Sequence, residues 1–213
     1  METKMPNESF RALKSDLAEL MKRLCDSQLT TALGGNVSHR ITNGMLITPS
    51  GLDKRQLVSS DILEMDLNGN IIKGQHEPSI EHRIHSSIYK TNPNVNAIVH
   101  SHSFYSMLFS IIDREINVEI TAESAKNVGF VGIAEYATMG TKKLADVVSQ
   151  RIKTHNVVLM KNHGVISVGK DLLQAFYRLE VAEQAAKLTY FSFGIPFTMI
   201  PNEDIDKYLN SKK

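Results

Sequence analysis

His100 and His102 close the apolar run Val95-Asn96-Ala97-Ile98-Val99, and a third histidine, His163, follows a second such run, Val157-Val158-Leu159-Met160. Side chains two apart on a strand point to the same face, so an extended H-x-H aims two imidazoles at one point in space. Three imidazoles and one carboxylate make a divalent-metal site, and the carboxylate candidate is Glu81, in Glu77-Pro78-Ser79-Ile80-Glu81-His82. Such a metal is a Lewis acid, and a carboxylate able to leave it is a base. Nitrogen-rich ligation suits Zn2+, with Mn2+, Fe2+ and Co2+ as alternatives.

Not every histidine belongs to that reading. Of the eight in the chain, His39, His76 and His155 stand in polar surroundings and read as surface residues. His85 lies four residues after Glu81 on the same predicted helix, shares its face, and is a rival ligand. The zincin signatures are absent: there is no H-E-x-x-H, and an H-x-x-E-H would need histidine where Pro78 stands.

Gly34-Gly35-Asn36, Thr48-Pro49-Ser50-Gly51 and Ser79 each offer backbone N–H groups, small side chains or hydroxyls, the means by which a nearly neutral protein holds a phosphate. For any one of them taken alone, plain turn chemistry is the better reading. Asn36, after two glycines and before an apolar strand, either caps the turn or binds an oxyanion, and both readings stand.

The elements that must position these residues follow from periodicity. Phe10, Leu13, Leu17, Leu20 and Leu24 step by three and four, predicting an amphipathic helix that runs to about Leu29. Asn43-Gly44 between apolar runs predicts a two-residue hairpin, and Asn68-Gly69-Asn70 predicts a second, so an antiparallel meander follows the helix. Pro78 suits the first turn of a helix from about Ser79 to Lys90, which places Glu81 at its positive end. After the His100 strand come a helix over Ser103–Ile112, a strand over Val128–Ile133, a helix over Thr141–Lys153 and strands over Val157–Met160 and Val165–Val168. Asp171 caps a long last helix. The tail from Pro196 carries no assigned element. These elements imply an α/β fold, helices covering both faces of a central, mostly antiparallel sheet.

Length and composition bound the function. At 213 residues, 42% apolar, the chain reads as a single domain over residues 1–213. A net charge of +1, from 24 basic and 23 acidic residues, gives no field suited to nucleic acid or an anionic membrane. No apolar stretch approaches the ~18 residues of a membrane span. One cysteine, Cys25, and no leader-like start point to a reducing compartment, by default the cytoplasm.

Taken together, Gly35-Asn36-Val37-Ser38, Leu46-Ile47-Thr48-Pro49-Ser50-Gly51, Pro78-Ser79-Ile80-Glu81, Ala97-Ile98-Val99-His100-Ser101-His102, Tyr136-Ala137-Thr138-Met139-Gly140-Thr141 and Asn162-His163-Gly164 resemble, in order and spacing, the class II aldolase and adducin head-domain family. The resemblance runs from about Gly34 to Lys187 and is nearest to the aldolases of the fuculose 1-phosphate type. It implies a three-layer α/β/α sandwich and a homotetramer with sites at subunit interfaces. It further implies that His100, His102 and His163 bind zinc, that Glu81 is fourth ligand and catalytic acid/base, and that Gly35, Asn36, Ser50, Gly51 and Ser79 bind the substrate phosphate. The implied activity is reversible cleavage of a ketose 1-phosphate to dihydroxyacetone phosphate and an aldehyde through a metal-stabilised enediolate. Dehydration of a methylthioribulose-type 1-phosphate and 4-epimerisation of ribulose 5-phosphate use the same site in this family, and the adducin-type assembly module is the non-enzymatic alternative. The chain departs from the fuculose-type pattern at Ile80, where relatives often have serine; at Thr121, where a proton-donating tyrosine is expected; and in a short tail with only Tyr208 for a site-closing tyrosine.

Overall fold

The computed structural model describes residues 7–210. Helix α1 spans Asn7–Asp26, then β1 (Asn36–Ile41), β2 (Gly44–Ile47), β3 (Leu63–Met65) and β4 (Ile71–Lys73) form the meander. Helix α2 (His82–Thr91) leads to β5 (Ala97–Ser101), α3 (Phe104–Ile111), a 3-10 turn at Val118–Ile120 and α4 (Ala122–Asn127). Strand β6 (Val131–Ala134), α5 (Lys142–Ile152), β7 (Val157–Met160), β8 (Gly164–Gly169), α6 (Leu172–Phe191) and α7 (Asn202–Asn210) complete the order. The strands make one eight-stranded sheet, β4-β3-β2-β1-β5-β8-β7-β6, in which only β6 and β7 pair in parallel.

Alternation along the strands builds a core on each face. Val37, Ala97, Val99, Val157, Leu159 and Val165 face α1, α3 and α6, where Leu17, Leu24, Phe109, Phe176 and Leu179 pack. Their neighbours Met45, Ile47, Ile98, Val158, Met160 and Ile166 face α2 and α5, against Ile84, Ile88, Leu144 and Val148. This is the expected three-layer α/β/α arrangement. His100 continues the Ile98 side of β5, so it points towards α2.

Boundaries differ from the sequence reading for local reasons. Helix α1 stops at Asp26 because Gln28 adopts φ 58°, with Gln28 N–H donating to Cys25 O at 3.1 Å and Leu29 N–H to Leu24 O at 2.8 Å. That Schellman closure tucks Leu29 onto Leu24, turning what looks like the next apolar helical step into the cap. Helix α2 begins at His82 because Ser79 holds a turn: its carbonyl accepts from His82 N–H at 3.0 Å and its hydroxyl from Glu81 N–H at 3.3 Å. The first hairpin loop is Thr42-Asn43, with Gly44 already in β2 opposite Ile41. Asp171 caps α6 as expected, accepting from Gln174 N–H at 2.7 Å. Helix α4 and helix α7, which the sequence reading did not assign, pack on each other.

Gly44 is required on two counts: its φ of 156° is one that L side chains rarely adopt, and a Cβ there would collide with the Met65 carbonyl of the adjacent strand. Gly44→Ala is expected to destabilise the protein by about 1–3 kcal/mol through forced displacement of β3. Urea unfolding checks this: an unchanged midpoint would show that β2 and β3 separate freely.

Candidate metal centre and anion cradle

Three chain segments deliver the site to one end of the sheet. Strand β5 supplies His100 and, just past its end, His102. The β7–β8 turn supplies His163, with Asn162 at φ 57°, a left-handed conformation that asparagine tolerates better than most residues. The residue ahead of α2 supplies Glu81, at φ −97° and ψ 9°, a bridge-region conformation common at functional positions.

Their donor atoms converge. Glu81 Oε2 lies 2.9 Å from His100 Nε2, Glu81 Oε1 lies 2.9 Å from His163 Nε2, and the Nε2 atoms of His100 and His102 are 3.1 Å apart. Donors around a tetrahedral Zn2+ at 2.0–2.1 Å stand about 3.3 Å apart, so modest spreading admits the ion. His100 Nδ1–H donates to the Val165 carbonyl at 2.9 Å, which orients the ring so that Nε2 faces the cluster, where it carries a proton towards Glu81 in the metal-free protein and becomes a ligand on losing it. Glu81 Oε1 and His163 Nε2 are buried and, among the described residues, have only each other as polar partners. Two buried donor atoms paired only with each other, beside two more imidazoles, fit a cation, and ligand atoms of His100, His102 and His163 all lie within 4.8 Å of one another. Gly164 keeps the approach open: a Cβ there would stand 2.9 Å from His102 Cδ2 and 3.2 Å from His100 Cε1.

The electrostatics are those of a buried ion pair. Burial pushes the Glu81 carboxyl up, but the charge of His100 and hydrogen bonds from His100 and His163 outweigh it and hold the group well below the usual carboxylate range. Burial lowers His100, while the facing Glu81 charge wins and raises it. His102 is pulled down to about 4 by burial and then by His100 and His163. It is therefore a neutral ligand across the physiological range.

His85, the rival ligand, stands outside the cluster. Its Nδ1 is 2.6 Å from Ser38 Oγ, which is 2.7 Å from Tyr89 OH, a fully buried polar chain under the sheet. Burial, then the charge of His100, depress His85 to about 3. Its folded value lies below that of an unfolded histidine near 6.5, so its contribution is complete above pH 6.5 and is lost as pH falls towards 3. The cost of acidification from this residue is about 2 kcal/mol at pH 5. In metal-free protein, His85→Gln should flatten the fall of unfolding free energy between pH 6 and 5 by about 1 kcal/mol. An unaltered slope would place the acid sensitivity elsewhere.

Of the five residues expected at a phosphate, Asn36 lies opposite His100 in the β1–β5 ladder. Its Nδ2 donates to Ser79 Oγ at 2.9 Å and to Glu81 Oε2 at 3.1 Å, joining metal cluster and cradle. Ser50 N–H donates to the Glu77 carbonyl at 2.9 Å, and Pro49 bridges to Pro78, so the Ser50–Gly51 turn is strapped beside Ser79. Gly51 has φ 73° and open space where a Cβ would be; Gly35, at φ 70°, lies against the His100 carbonyl. Ile80 is 55% exposed at this rim and touches Gly140.

Thr121 does not replace the missing tyrosine hydroxyl by position alone. Its Oγ1 caps α4, accepting from Ser124 N–H at 3.1 Å and lying 2.8 Å from Ser124 Oγ. Tyr208 lies on α7. Lys54, which lies between Asp53 and Arg55 and is not among the residues expected at the site, is buried behind the Ser50–Gly51 turn. Nothing in the local sequence distinguishes it from a surface lysine.

Comparison with known proteins agrees with this architecture. Residues 15–190 match the Class II Aldolase and Adducin N-terminal domain family. The L-fuculose phosphate aldolase of Methanococcus maripaludis is 39% identical over 178 residues, 82% of this chain and 96% of the relative. That of Methanocaldococcus jannaschii is 38% identical over 176 residues, 83% of this chain and 94% of the relative. A solved L-fuculose 1-phosphate aldolase superposes with a TM-score of 0.84 at 33% identity, covering 94% of this chain and 96% of its own. A match across most of the length, on a chain whose sheet brings three histidines and a carboxylate together, has one consequence: this chain belongs to the class II aldolase and adducin N-terminal domain family.

Proposed function

We propose that this protein is a metal-dependent aldolase that reversibly cleaves a ketose 1-phosphate of the fuculose type to dihydroxyacetone phosphate and a small aldehyde. The observation that carries the reading is the buried Glu81 carboxylate, 2.9 Å from both His100 and His163 and tethered by Asn36 to the anion cradle. A closed structural site has no use for that tether, and an assembly module has no use for the ligands.

His100, His102, His163 and Glu81 would hold the ion, preferentially Zn2+, which when bound supplies positive charge to stabilise the negative charge developing at the ketose carbonyl. Asn36, Ser79, Ser50, Gly51 and Gly35 hold the phosphate and so fix where the carbonyl lies. As the carbon–carbon bond breaks, the hydroxyl on the departing carbon gives its proton to a base and becomes the aldehyde carbonyl, while the electron pair remains on the carbon next to the ketose carbonyl. Glu81 delivers the proton to that carbon, and removes it in the synthetic direction. The reading treats the whole chain as one domain, working in the cytoplasm as a homotetramer.

One observation favours a second reaction. With Thr121 committed as a helix cap, the group that takes the hydroxyl proton as the aldehyde departs, and returns it to the aldehyde oxygen in synthesis, is unassigned, and dehydration of a ketose 1-phosphate releases no aldehyde. Product analysis separates the two. Purified protein given fuculose, rhamnulose and 5-deoxyribulose 1-phosphates is expected to release dihydroxyacetone phosphate, and a chelator is expected to stop it. Water loss with an intact carbon chain would replace cleavage by dehydration, and no turnover of any of them by zinc-loaded protein would remove the aldolase reading for these sugars.

A further inference from the structure

A phosphate dianion in this cradle would sit near the Glu81 carboxylate, and none of Gly35, Asn36, Ser50, Gly51 and Ser79 carries a positive charge. A buried positive charge, Lys54, lies behind the cradle. Lys54 is only 1% exposed, among the largest fully buried side chains of the protein. Its ammonium donates to the Pro49 carbonyl, its own N–H donates to Ala32 O at 2.8 Å, and among the described residues no carboxylate pairs with it. Burial lowers its proton affinity, and the one ionisable neighbour working the other way is Cys25. A buried ammonium with a carbonyl for its partner is costly to keep unless something else compensates it.

We propose that Lys54 is the charge-bearing positioning residue of the phosphate site, fixing the Pro49-Ser50-Gly51 turn from behind and placing a positive charge beneath the bound anion. The placement follows from connectivity. Lys54 grips Pro49; Pro49 bridges to Pro78; Ser50 N–H is tied to Glu77; and the next residue, Ser79, shares the Asn36 amide with Glu81. A cation at the root of that strap serves two ends at once. It orients the turn that meets the phosphate, and, inside protein where the field is weakly screened, it attracts the dianion without touching it. The inference rests on the cradle part of the proposed function.

The test uses the full-length zinc-loaded protein and inorganic phosphate, titrated calorimetrically against wild type, Lys54→Gln and Lys54→Arg. Glutamine retains a donor for the Pro49 carbonyl and loses the charge; arginine retains both. The glutamine variant is expected to bind phosphate about tenfold more weakly, ~1.4 kcal/mol, and the arginine variant within about threefold of wild type. Steady-state cleavage should mirror this, KM rising about tenfold in Lys54→Gln while kcat stays within twofold and zinc content is unchanged, a split that general loosening of the fold would not give. Equal phosphate affinity in wild type and glutamine variants, or equal loss in glutamine and arginine variants, overturns the role of Lys54. Absence of phosphate binding in wild type overturns the cradle itself, and the two failures are thereby distinct. If the glutamine variant does not fold, Lys54→Met, which fills the same apolar stem volume, takes its place with the same expected loss.

Discussion

Glu81→Gln is expected to lower the proposed cleavage of a ketose 1-phosphate by about 10²–10⁴-fold and to leave the fold in place, the loss that follows removal of a positioned proton carrier. The substitution is nearly isosteric, and the glutamine oxygen can still accept from Asn36 Nδ2, now 3.1 Å from Glu81 Oε2. What disappears is the negative charge between His100 and His163 and the ability to carry a proton. The three imidazoles remain, so zinc is expected to stay bound, and measured zinc per chain separates a chemical defect from a vacant site. Exchange of the carbon-bound hydrogen of dihydroxyacetone phosphate in deuterium oxide isolates the proton transfer, because it needs no aldehyde. A glutamine variant that retained that exchange within tenfold of wild type would remove Glu81 from the proton-carrying role, and the position would then be a ligand alone.

The second large effect concerns the metal. His163→Ala should weaken zinc binding by more than the ~10–100-fold typical of losing a partner outside the ligand set, and cleavage should fall with it. His163 is the informative choice because its side chain retains 12% exposure and lies in a turn, whereas His100 is buried in β5 and hydrogen-bonded to Val165 O. Truncating His163 therefore removes a donor with little disturbance of the sheet. It also leaves Glu81 Oε1 without its imidazole, so added zinc at high concentration should restore activity only in part. Stoichiometric, tightly held zinc in the alanine variant would show that this imidazole is dispensable to the ion. The same variant would then turn attention to the ligand set formed by His100, His102 and Glu81 alone.

How much of this was legible in one dimension depends on the range of the interactions involved. The hairpins were readable because an Asn-Gly pair or an Asn-Gly-Asn tract between apolar runs specifies local geometry, although Gly44 also serves a close approach to Met65 of the neighbouring strand that the pair does not reveal. The α6 start was readable from Asp171, whose carboxylate reaches only three residues ahead. The ends of α1 and the start of α2 were misplaced by a few residues, because Gln28 in a left-handed conformation and a Ser79 turn are weak signals that packing of Leu29 and bonding of Glu81 decide. Helices α4 and α7 are short and support each other, so neither announces itself alone.

The candidate site divides in the same way. By itself the sequence determined that His100 and His102 would share a direction, since that is a property of any extended strand, and that His163 would lie in a turn at a strand end. The resemblance to the family rests on the same ordered residues. Only the tertiary structure decided that β8 lies between β5 and β7, which swings the His163 turn against the end of β5 and within reach of Glu81. It decided between Glu81 and His85, one helical turn apart, by giving His85 to Ser38 and Tyr89. It also turned Lys54, which between Asp53 and Arg55 looks like any solvated lysine, into a buried cation beneath the Pro49–Gly51 turn. Periodicity is set by bonds between near neighbours and can be read along the chain. The pairing of strands and the burial of a single charge are set by the whole packed sheet.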